Sequence, residues 1–203
     1  ELLTADGIKI HARWSPHPQA KGVVIYCHGN AGNLECFSRF TEKLEQALDR
    51  SVLAFDYPGY GRSEGKPSEK GCYAAADAAY DAVVRMGVPA EQIVICGESL
   101  GGGVAVDLAS RRPHQALVLI RTFTSVPDVA SQQYKVVLAP TIMVNRFESL
   151  QKIPACRSRQ GRSSPAFRAL WNCGGAPASR RSSLASRRQC RRNAQPHGGS
   201  GQE

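Results

Sequence analysis

Short, unbroken apolar runs alternate along this chain with longer segments whose apolar residues recur every three or four positions. The runs are typical of strands buried on both faces and cover residues 22–27, 51–55, 93–96 and 116–120. The longer segments are typical of helices with one apolar face and cover residues 34–48, 68–84 and 104–112. Strands and helices that alternate in this way predict the α/β class, with a mostly parallel sheet covered by helices on both faces.

Three further segments carry weaker signals. Residues 8–14 alternate between apolar and polar side chains, which predicts an outer, antiparallel strand. Residues 126–143 are mixed, and we expect short helices there above the sheet, followed by one more short helix over residues 146–153. In open α/β sheets function gathers at the carboxyl ends of the strands. The loops that leave those ends are residues 28–33, 56–66 and 97–101.

The last of these loops contains the best candidate for chemistry. It reads Gly-Glu-Ser-Leu-Gly between a predicted strand and a predicted helix, the context in which G-x-S-x-G raises a nucleophilic serine, here Ser99, above the sheet. Side chains at Gly97 and Gly101 would collide in so sharp a turn. Residues 61–65 fit the same pattern without the flanking strand and helix, so we interpret them as a loop. A nucleotide-binding turn is the alternative, but neither G-x-G-x-x-G nor Gly-Lys-Ser/Thr is present.

Length, cysteines and apolar runs narrow the class of protein. A chain of 203 residues suits one domain with a sizeable core, and no apolar run is long enough to span a membrane. The seven cysteines show no paired spacing, and Cys27 and Cys96 lie in predicted buried strands. We therefore expect reduced core thiols and a cytoplasmic protein. Because the chain begins at Glu1 without a methionine, we expect a fragment, and loss of an N-terminal membrane anchor is left open.

The formal net charge of +9 is unevenly distributed. Residues 1–153 contain 7 Lys and 9 Arg against 7 Asp and 9 Glu, so the excess lies wholly in residues 154–203, which hold 10 Arg and a single Glu. A basic patch can indicate nucleic-acid binding. These arginines lack interleaved aromatic residues and regular spacing, so we expect no nucleic-acid partner.

Attack of Ser99 on a carbonyl carbon would create an oxyanion, which needs pre-aimed hydrogen-bond donors. The N–H of Leu100, at the start of the predicted helix, is one natural donor. Our candidate for the second is the N–H of Asn30, in the loop after the first buried strand. We interpret His28 as a structural imidazole that braces this loop, and we expect Asp56 with its neighbouring tyrosine to order the loop that follows.

Five segments together resemble one family: HGNAGN at residues 28–33, DYPGYGRS at 56–63, GESLG at 97–101, FTSVPD at 123–128 and RFESL at 146–150. Their order and spacing are similar to those of the α/β-hydrolase superfamily, within it to serine hydrolases related to the ABHD17 depalmitoylases and the Bem46-like proteins. The resemblance covers about residues 3–155 and departs at residues 121–122, where Arg-Thr replaces the Ser-Pro of many relatives. It implies an α/β-hydrolase fold and a Ser-His-Asp triad without metal or cofactor. The implied substrate is a small-molecule or acyl-protein ester, thioester or amide.

The acid and base of such a triad are missing from the chain as written. A serine hydroxyl is inert unless a histidine takes its proton and a carboxylate orients that histidine, and this fold orders them serine, acid, histidine. After the serine come His114, at a helix-to-strand turn far from it, and His197, in a linker-like Gln-Pro-His-Gly-Gly-Ser-Gly. No aspartate follows Asp128. The acids beyond it are Glu148 and Glu203.

The C-terminal part does not match the family pattern. We expect an incomplete hydrolase core over residues 1–155 and an Arg/Ser/Gly/Pro-rich tail over 156–203, either disordered or translated out of frame. Dropping one base permits Lys/Arg-Asp-Glu-Val-Val-Pro in place of residues 160–165, which resembles the family's acid loop. The same shift permits Gly-Ala-Thr-His-Asn in place of residues 190–196, which resembles its histidine loop. With the last strands lost, residues 116–120 would form an open sheet edge.

Together these features predict a serine hydrolase that cleaves an acyl ester or thioester and is impaired in this chain. A non-catalytic α/β-hydrolase-like module is one alternative, because the acid and base are missing. A serine-peptidase-like amide hydrolase is the other.

Overall fold

A six-stranded sheet forms the centre of the computed structural model, which describes residues 1–30, 32–122, 125, 145–156 and 169–170, all within one structural unit, residues 1–172. Its strands are β3 (Ala12–Ser15), β4 (Val23–Cys27), β5 (Ser51–Phe55), β6 (Ile93–Glu98), β7 (Ala116–Ile120) and β8 (Ala169–Leu170). They lie in the order β3-β5-β4-β6-β7-β8. A separate antiparallel pair joins β1 (Leu2–Leu3) to β2 (Lys9–Ile10).

The sheet is mostly parallel, as the apolar runs predict. Strands β4 to β8 pair in parallel, and β3 is antiparallel to β5 at the edge. Every residue of β4 and β5 is buried, because helices cover both faces. Such burial is why these strands are unbroken apolar runs and do not alternate with polar residues.

The described helices are α1 (Leu34–Leu48), α2 (Glu69–Arg85), α3 (Leu100–Arg111) and α4 (Ser149–Lys152), with 3₁₀ turns at Ala90–Gln92 and Ile153–Ala155. Side-chain caps begin two of them: Asn33 accepts the N–H of Glu35, and Ser68 accepts the N–H of Gly71. Helices α2 and α3 pack on one face of the sheet, and α1 packs on the other. None of the described helices is long and apolar enough to cross a membrane.

Two predicted elements differ from the structure. The strand predicted over residues 8–14 is split at His11, whose backbone N–H bonds to the Ser63 hydroxyl at 2.9 Å. The helix predicted over residues 146–153 begins only at Ser149. The preceding Phe147 has a φ of 45°, a left-handed conformation that does not continue a helix.

Most of the predicted tail and residues 126–143 lie outside the described residues, so the boundary at residue 155 stays a prediction.

One expectation about the tail is corrected. Leu119 and Ile120 of β7 pair with β8, so this part of β7 is not an open edge. Because β8 is only two residues long, it pairs only with the end of β7 that lies next to the predicted serine loop.

A buried carboxylate joins three helices. Asp107 of α3 contacts Lys152 of α4, with 2.6 Å between the Lys152 Nζ and a carboxylate oxygen, and Arg111 on its own helix at 2.6 Å. Lys152 also lies 3.0 Å from the hydroxyl of Tyr73 on α2. The side chain of Asp107 is only 9% exposed, so the two cations compensate for the burial of its negative charge.

Replacing this carboxylate should destabilise the fold. Asp107→Asn keeps the shape but removes the charge that faces two cations, and we expect a loss of about 2 kcal/mol in the free energy of unfolding. The control is Asp49→Asn, which removes the exposed partner of Lys21 and should leave the urea midpoint unchanged, as exposed pairs contribute little. Equal urea midpoints for the two variants would contradict this account of the three-helix contact.

Candidate active site

The backbone of Ser99 turns sharply between β6 and α3. Its φ is 51° and its ψ is −115°, a region that residues other than glycine rarely occupy. Ser99 immediately follows the last residue of β6 and immediately precedes the first residue of α3. The predicted strand–turn–helix context of the serine motif is therefore present, and the serine is only partly buried.

The flanking glycines allow this turn because their neighbours leave no room for a side chain. A methyl group on Gly97 would lie 2.6 Å from the Cβ of Ala105, and one on Gly101 would lie 2.6 Å from the carbonyl oxygen of His28. Real Cβ atoms do not approach other heavy atoms so closely. The helix α3 can therefore start directly against the ends of β6 and β4.

The loop after β4 passes beside this serine. Cys27, the last residue of β4, is paired with Gly97 of β6, so both loops leave the same edge of the sheet. A methyl group on Gly29 would lie 3.4 Å from the Cβ of Ser99. The structure thus brings the backbone around Asn30 to the serine loop, where α3 begins with the N–H of its first residue unpaired within the helix.

Three side-chain hydrogen bonds hold the loop after β4. The Nδ1 of the buried His28 lies 2.8 Å from the carbonyl oxygen of Gly29, and the hydroxyl of Tyr57 donates to the carbonyl of His28 at 2.7 Å. The hydroxyl of Tyr60 donates to the side-chain oxygen of Asn30 at 2.7 Å. These contacts agree with a bracing role for His28, and Tyr60 adds a contact that the sequence did not reveal.

Asp56 organises more than its own loop. One carboxylate oxygen accepts the N–H of Leu34, the first residue of α1, at 2.9 Å, and the other lies 3.2 Å from the Nδ1 of His11. The Nε2 of His28 is 3.4 Å from a carboxylate oxygen of Asp56, but it makes no hydrogen bond to any of the described residues. This carboxylate therefore ties the start of α1 to the outer strands.

The second G-x-S-x-G segment, residues 61–65, is a loop, as predicted. The hydroxyl of Ser63 donates to the carbonyl of Asp56 at 3.0 Å and accepts the N–H of His11. Both hydrogen-bonding roles of this hydroxyl are therefore occupied by backbone groups.

Two groups near the serine were missed by sequence reasoning. Glu98 accepts the hydroxyl of Tyr26 at 2.8 Å and forms an ion pair with Arg121. Burial, together with Glu98, raises the pKa of Tyr26 well above its ordinary value. The hydroxyl of Thr122 donates to the carbonyl of Ser99 at 3.0 Å. The sequence hinted at these contacts only through the Arg-Thr pair at residues 121–122, where the chain departs from the family resemblance.

The described downstream histidine lies far from the serine. His114 precedes β7 at the amino-end edge of the sheet, whereas Ser99 follows β6 at the carboxyl-end edge. His114 is buried and its Nδ1 lies 2.9 Å from the carbonyl of Arg112; burial lowers the pKa of this imidazole. Glu148 contacts Arg146. His197 and Glu203 lie outside the described residues.

In the described part of the chain, no cluster of three or more His, Cys, Asp or Glu side chains could hold a metal ion. Cys27 and Cys96 are buried free thiols, as predicted for the strands that hold them. Burial raises the pKa of Cys96 to about 12, which keeps this thiol protonated and unreactive at neutral pH.

A mostly parallel sheet with a strained serine between a central strand and the next helix defines a protein of the α/β-hydrolase class. The family model described as the alpha/beta hydrolase fold matches residues 22–140, and this chain belongs to that family. A Mycobacterium tuberculosis protein described as uncharacterised is 37% identical over 153 residues, which are 74% of this chain and 54% of that protein. Human alpha/beta hydrolase domain-containing protein 17B is 36% identical over 137 residues, 67% of this chain and 46% of that protein.

Solved structures show the same fold at lower identity. An α/β hydrolase from Vibrio vulnificus superposes with a TM-score of 0.58 and 24% identity, covering 72% of this chain and 54% of that one. The Pyrococcus furiosus esterase PF2001 gives a TM-score of 0.57 and 22% identity, covering 66% and 52%. The chain spans about half the length of the curated relatives it matches.

The steric role of Gly101 can be tested by one methyl group. Gly101→Ala places this group against the backbone of β4, so the helix must shift away from the sheet. We expect a loss of at least about 2 kcal/mol in the free energy of unfolding, typical of overpacking against rigid backbone. The control Gly87→Ala lies at a φ of 82° with nothing within 4 Å of the new methyl group. It should cost only about 1 kcal/mol of backbone strain; similar losses in both variants would contradict the packing argument.

Proposed function

We propose that this chain derives from a serine hydrolase that cleaves acyl esters or thioesters of small molecules or proteins, with Ser99 as the nucleophile. The observation that carries the proposal is the strained backbone of Ser99 at the strand-to-helix turn. Strain of this kind is kept where the surrounding structure enforces it, and it concentrates at functional sites. Membership of a hydrolase family and the esterase from Pyrococcus furiosus among the structures that share the fold support the same reaction class.

In the proposed reaction the Ser99 Oγ forms a bond to the acyl carbon while a general base takes the hydroxyl proton. The electron pair of the carbonyl moves onto its oxygen, and the N–H groups of Leu100 and Asn30 stabilise this oxyanion. Collapse of the intermediate breaks the bond to the alcohol or thiol, which leaves with the proton. Water then attacks the acyl-serine in the same way and releases the carboxylic acid.

The base and the acid that orients it are proposed to be encoded in another reading frame near codon 156. Two segments of the tail support this: a one-base shift permits an Asp-bearing loop in place of residues 160–165 and a His-bearing loop in place of residues 190–196. The DNA sequence decides the matter. If neither alternative frame encodes a strand, an aspartate loop and a Gly-x-His, the tail is genuine and this part of the proposal fails.

A non-catalytic hydrolase-like module is the second candidate, favoured by the missing acid and base in the sequence as written. Such a module would keep the fold and the serine turn without turnover. It differs from the first candidate in one measurable respect, because restoring the reading frame would not create an esterase.

Turnover of p-nitrophenyl acetate by matched chains tests the proposal. We expect residues 1–203 as written to be nearly inactive and poorly stable. Loss of triad residues costs on the order of 10⁶ in turnover, and β8, the described partner of β7 on the side away from β6, pairs with only the last two residues of that strand. A frame-restored chain should hydrolyse the ester, and Ser99→Ala should abolish that activity. Ser63→Ala, in the second motif, is the matched control and should retain turnover.

Two results would contradict the proposal. A frame-restored chain that melts cooperatively but does not hydrolyse the ester would favour the non-catalytic module. Activity that survives Ser99→Ala would remove Ser99 from the role of nucleophile.

A further inference from the structure

Three consecutive glycines, residues 101–103, follow the first residue of α3, and each leaves room for a different segment of the chain. A methyl group on Gly101 would overlap the end of β4, and one on Gly103 would lie 3.0 Å from the ring of Phe147. A methyl group on Gly102 would overlap the side chain of Thr122. The residue that follows β7 by two positions is therefore packed directly against the first turn of the serine helix.

Thr122 also makes a directed contact there. Its hydroxyl donates to the carbonyl oxygen of Ser99 at 3.0 Å, and the N–H of Gly102 donates to the same oxygen at 2.9 Å. The N–H of Ser99 donates to the carbonyl of Ile120 at 3.0 Å. A carbonyl oxygen has two lone pairs, so both polar backbone groups of Ser99 are fully used, and two of the three bonds come from the end of β7.

The carbonyl of Ser99 belongs to the same rigid peptide unit as the N–H of Leu100. The six atoms of a trans peptide lie in one plane, with the C=O and the N–H on opposite sides. A hydrogen bond that fixes the direction of the Ser99 carbonyl therefore fixes the direction of the Leu100 N–H. That N–H is one of the two proposed oxyanion donors.

We propose that Thr122 is a positioning residue that, through its hydroxyl, holds the Ser99–Leu100 peptide plane and so aims the Leu100 N–H at the oxyanion. The inference rests on the proposed function, since it assigns Thr122 to the reaction of Ser99. Thr122 acts through the peptide and is not itself a catalytic group.

Two substitutions separate the hydroxyl from the packing. Thr122→Val keeps the branched shape beside Gly102 but removes the donor, whereas Thr122→Ser keeps the donor and removes a methyl group. A packing role predicts that Val is tolerated and Ser is not. A role of the hydroxyl predicts that Thr122→Val impairs the site and that Thr122→Ser does not.

The first measurement is the rate at which a fluorophosphonate probe labels Ser99 in the frame-restored chain, taken as the parent, and in its Thr122 variants. Phosphonylation develops negative charge on an oxygen near the oxyanion donors, so it reports the aim of the Leu100 N–H. We expect Thr122→Val to lower the second-order labelling rate about tenfold, less than the roughly 10²–10³-fold loss caused by deleting such a donor, because the Leu100 N–H is still present. Thr122→Ser should stay within about twofold of the parent chain.

The second measurement is amide hydrogen exchange, which needs no reactivity. The N–H groups of Ser99 and Gly102 should exchange about tenfold faster in Thr122→Val and unchanged in Thr122→Ser, because local opening of the turn becomes easier. The N–H of Gly71, bonded to Ser68 at the start of α2, is the remote control and should not change. Faster exchange at Gly71 as well would indicate general destabilisation and overturn the assignment.

The two measurements distinguish the failure of this inference from the failure of the proposed function. Normal labelling and exchange in Thr122→Val would overturn the role of Thr122 and leave Ser99 as nucleophile. If the probe labels no version of the chain, including a frame-restored one, the nucleophile assignment fails and the role in aiming an oxyanion donor fails with it. Exchange at Ser99 and Gly102 then still decides whether the hydroxyl holds the turn.

Discussion

The left-handed backbone of Ser99, with its φ of 51°, is the constraint on which the arrangement of the site depends. This conformation lets β6 end and α3 begin within one residue, so the helix must start almost in contact with two strands. Neighbouring groups enforce this conformation. Glycines stand where the backbones of the strands and the helix meet, and the ends of β4 and β7 pack against the first turn of α3. The strain is local, and the burial of the surrounding sheet and helices compensates for it.

Parallel pairing converts this single turn into a site. Because β4, β6 and β7 run in the same direction and in register, the loops after Cys27, Glu98 and Ile120 leave the sheet side by side. Buried side chains hold the backbone of the loop after β4 at both ends. Asp56 accepts the N–H of Leu34 at the start of α1, and the imidazole of His28 contacts the carbonyl oxygen of Gly29. The site is therefore held mainly by hydrogen bonds to backbone atoms, which position the backbone donors that the proposed reaction needs.

Sequence patterns predicted those parts of the fold that depend on neighbours along the chain. Helix α1 has the predicted bounds, Leu34–Leu48, because the apolar residues that recur on one of its faces are a local signal. The serine turn was predictable for the same reason, since its glycines lie two residues away on either side. The split at His11 involves Ser63, and Arg146, just before the late start of α4, donates its backbone N–H to Glu69 of α2. Both partners lie more than 50 residues away in the chain, and no local pattern encodes these contacts. The contact of Thr122 with Ser99 is of the same kind.

The central claim, that the strained serine is the nucleophile, is tested most directly by locating a covalent adduct. Mass spectrometry of peptides from the frame-restored chain after reaction with a fluorophosphonate would identify which serine is modified. The account predicts a single adduct on Ser99 and none on Ser63, whose hydroxyl is already committed to backbone groups. Modification of Ser63, or modification spread over several serines without preference for Ser99, would contradict it.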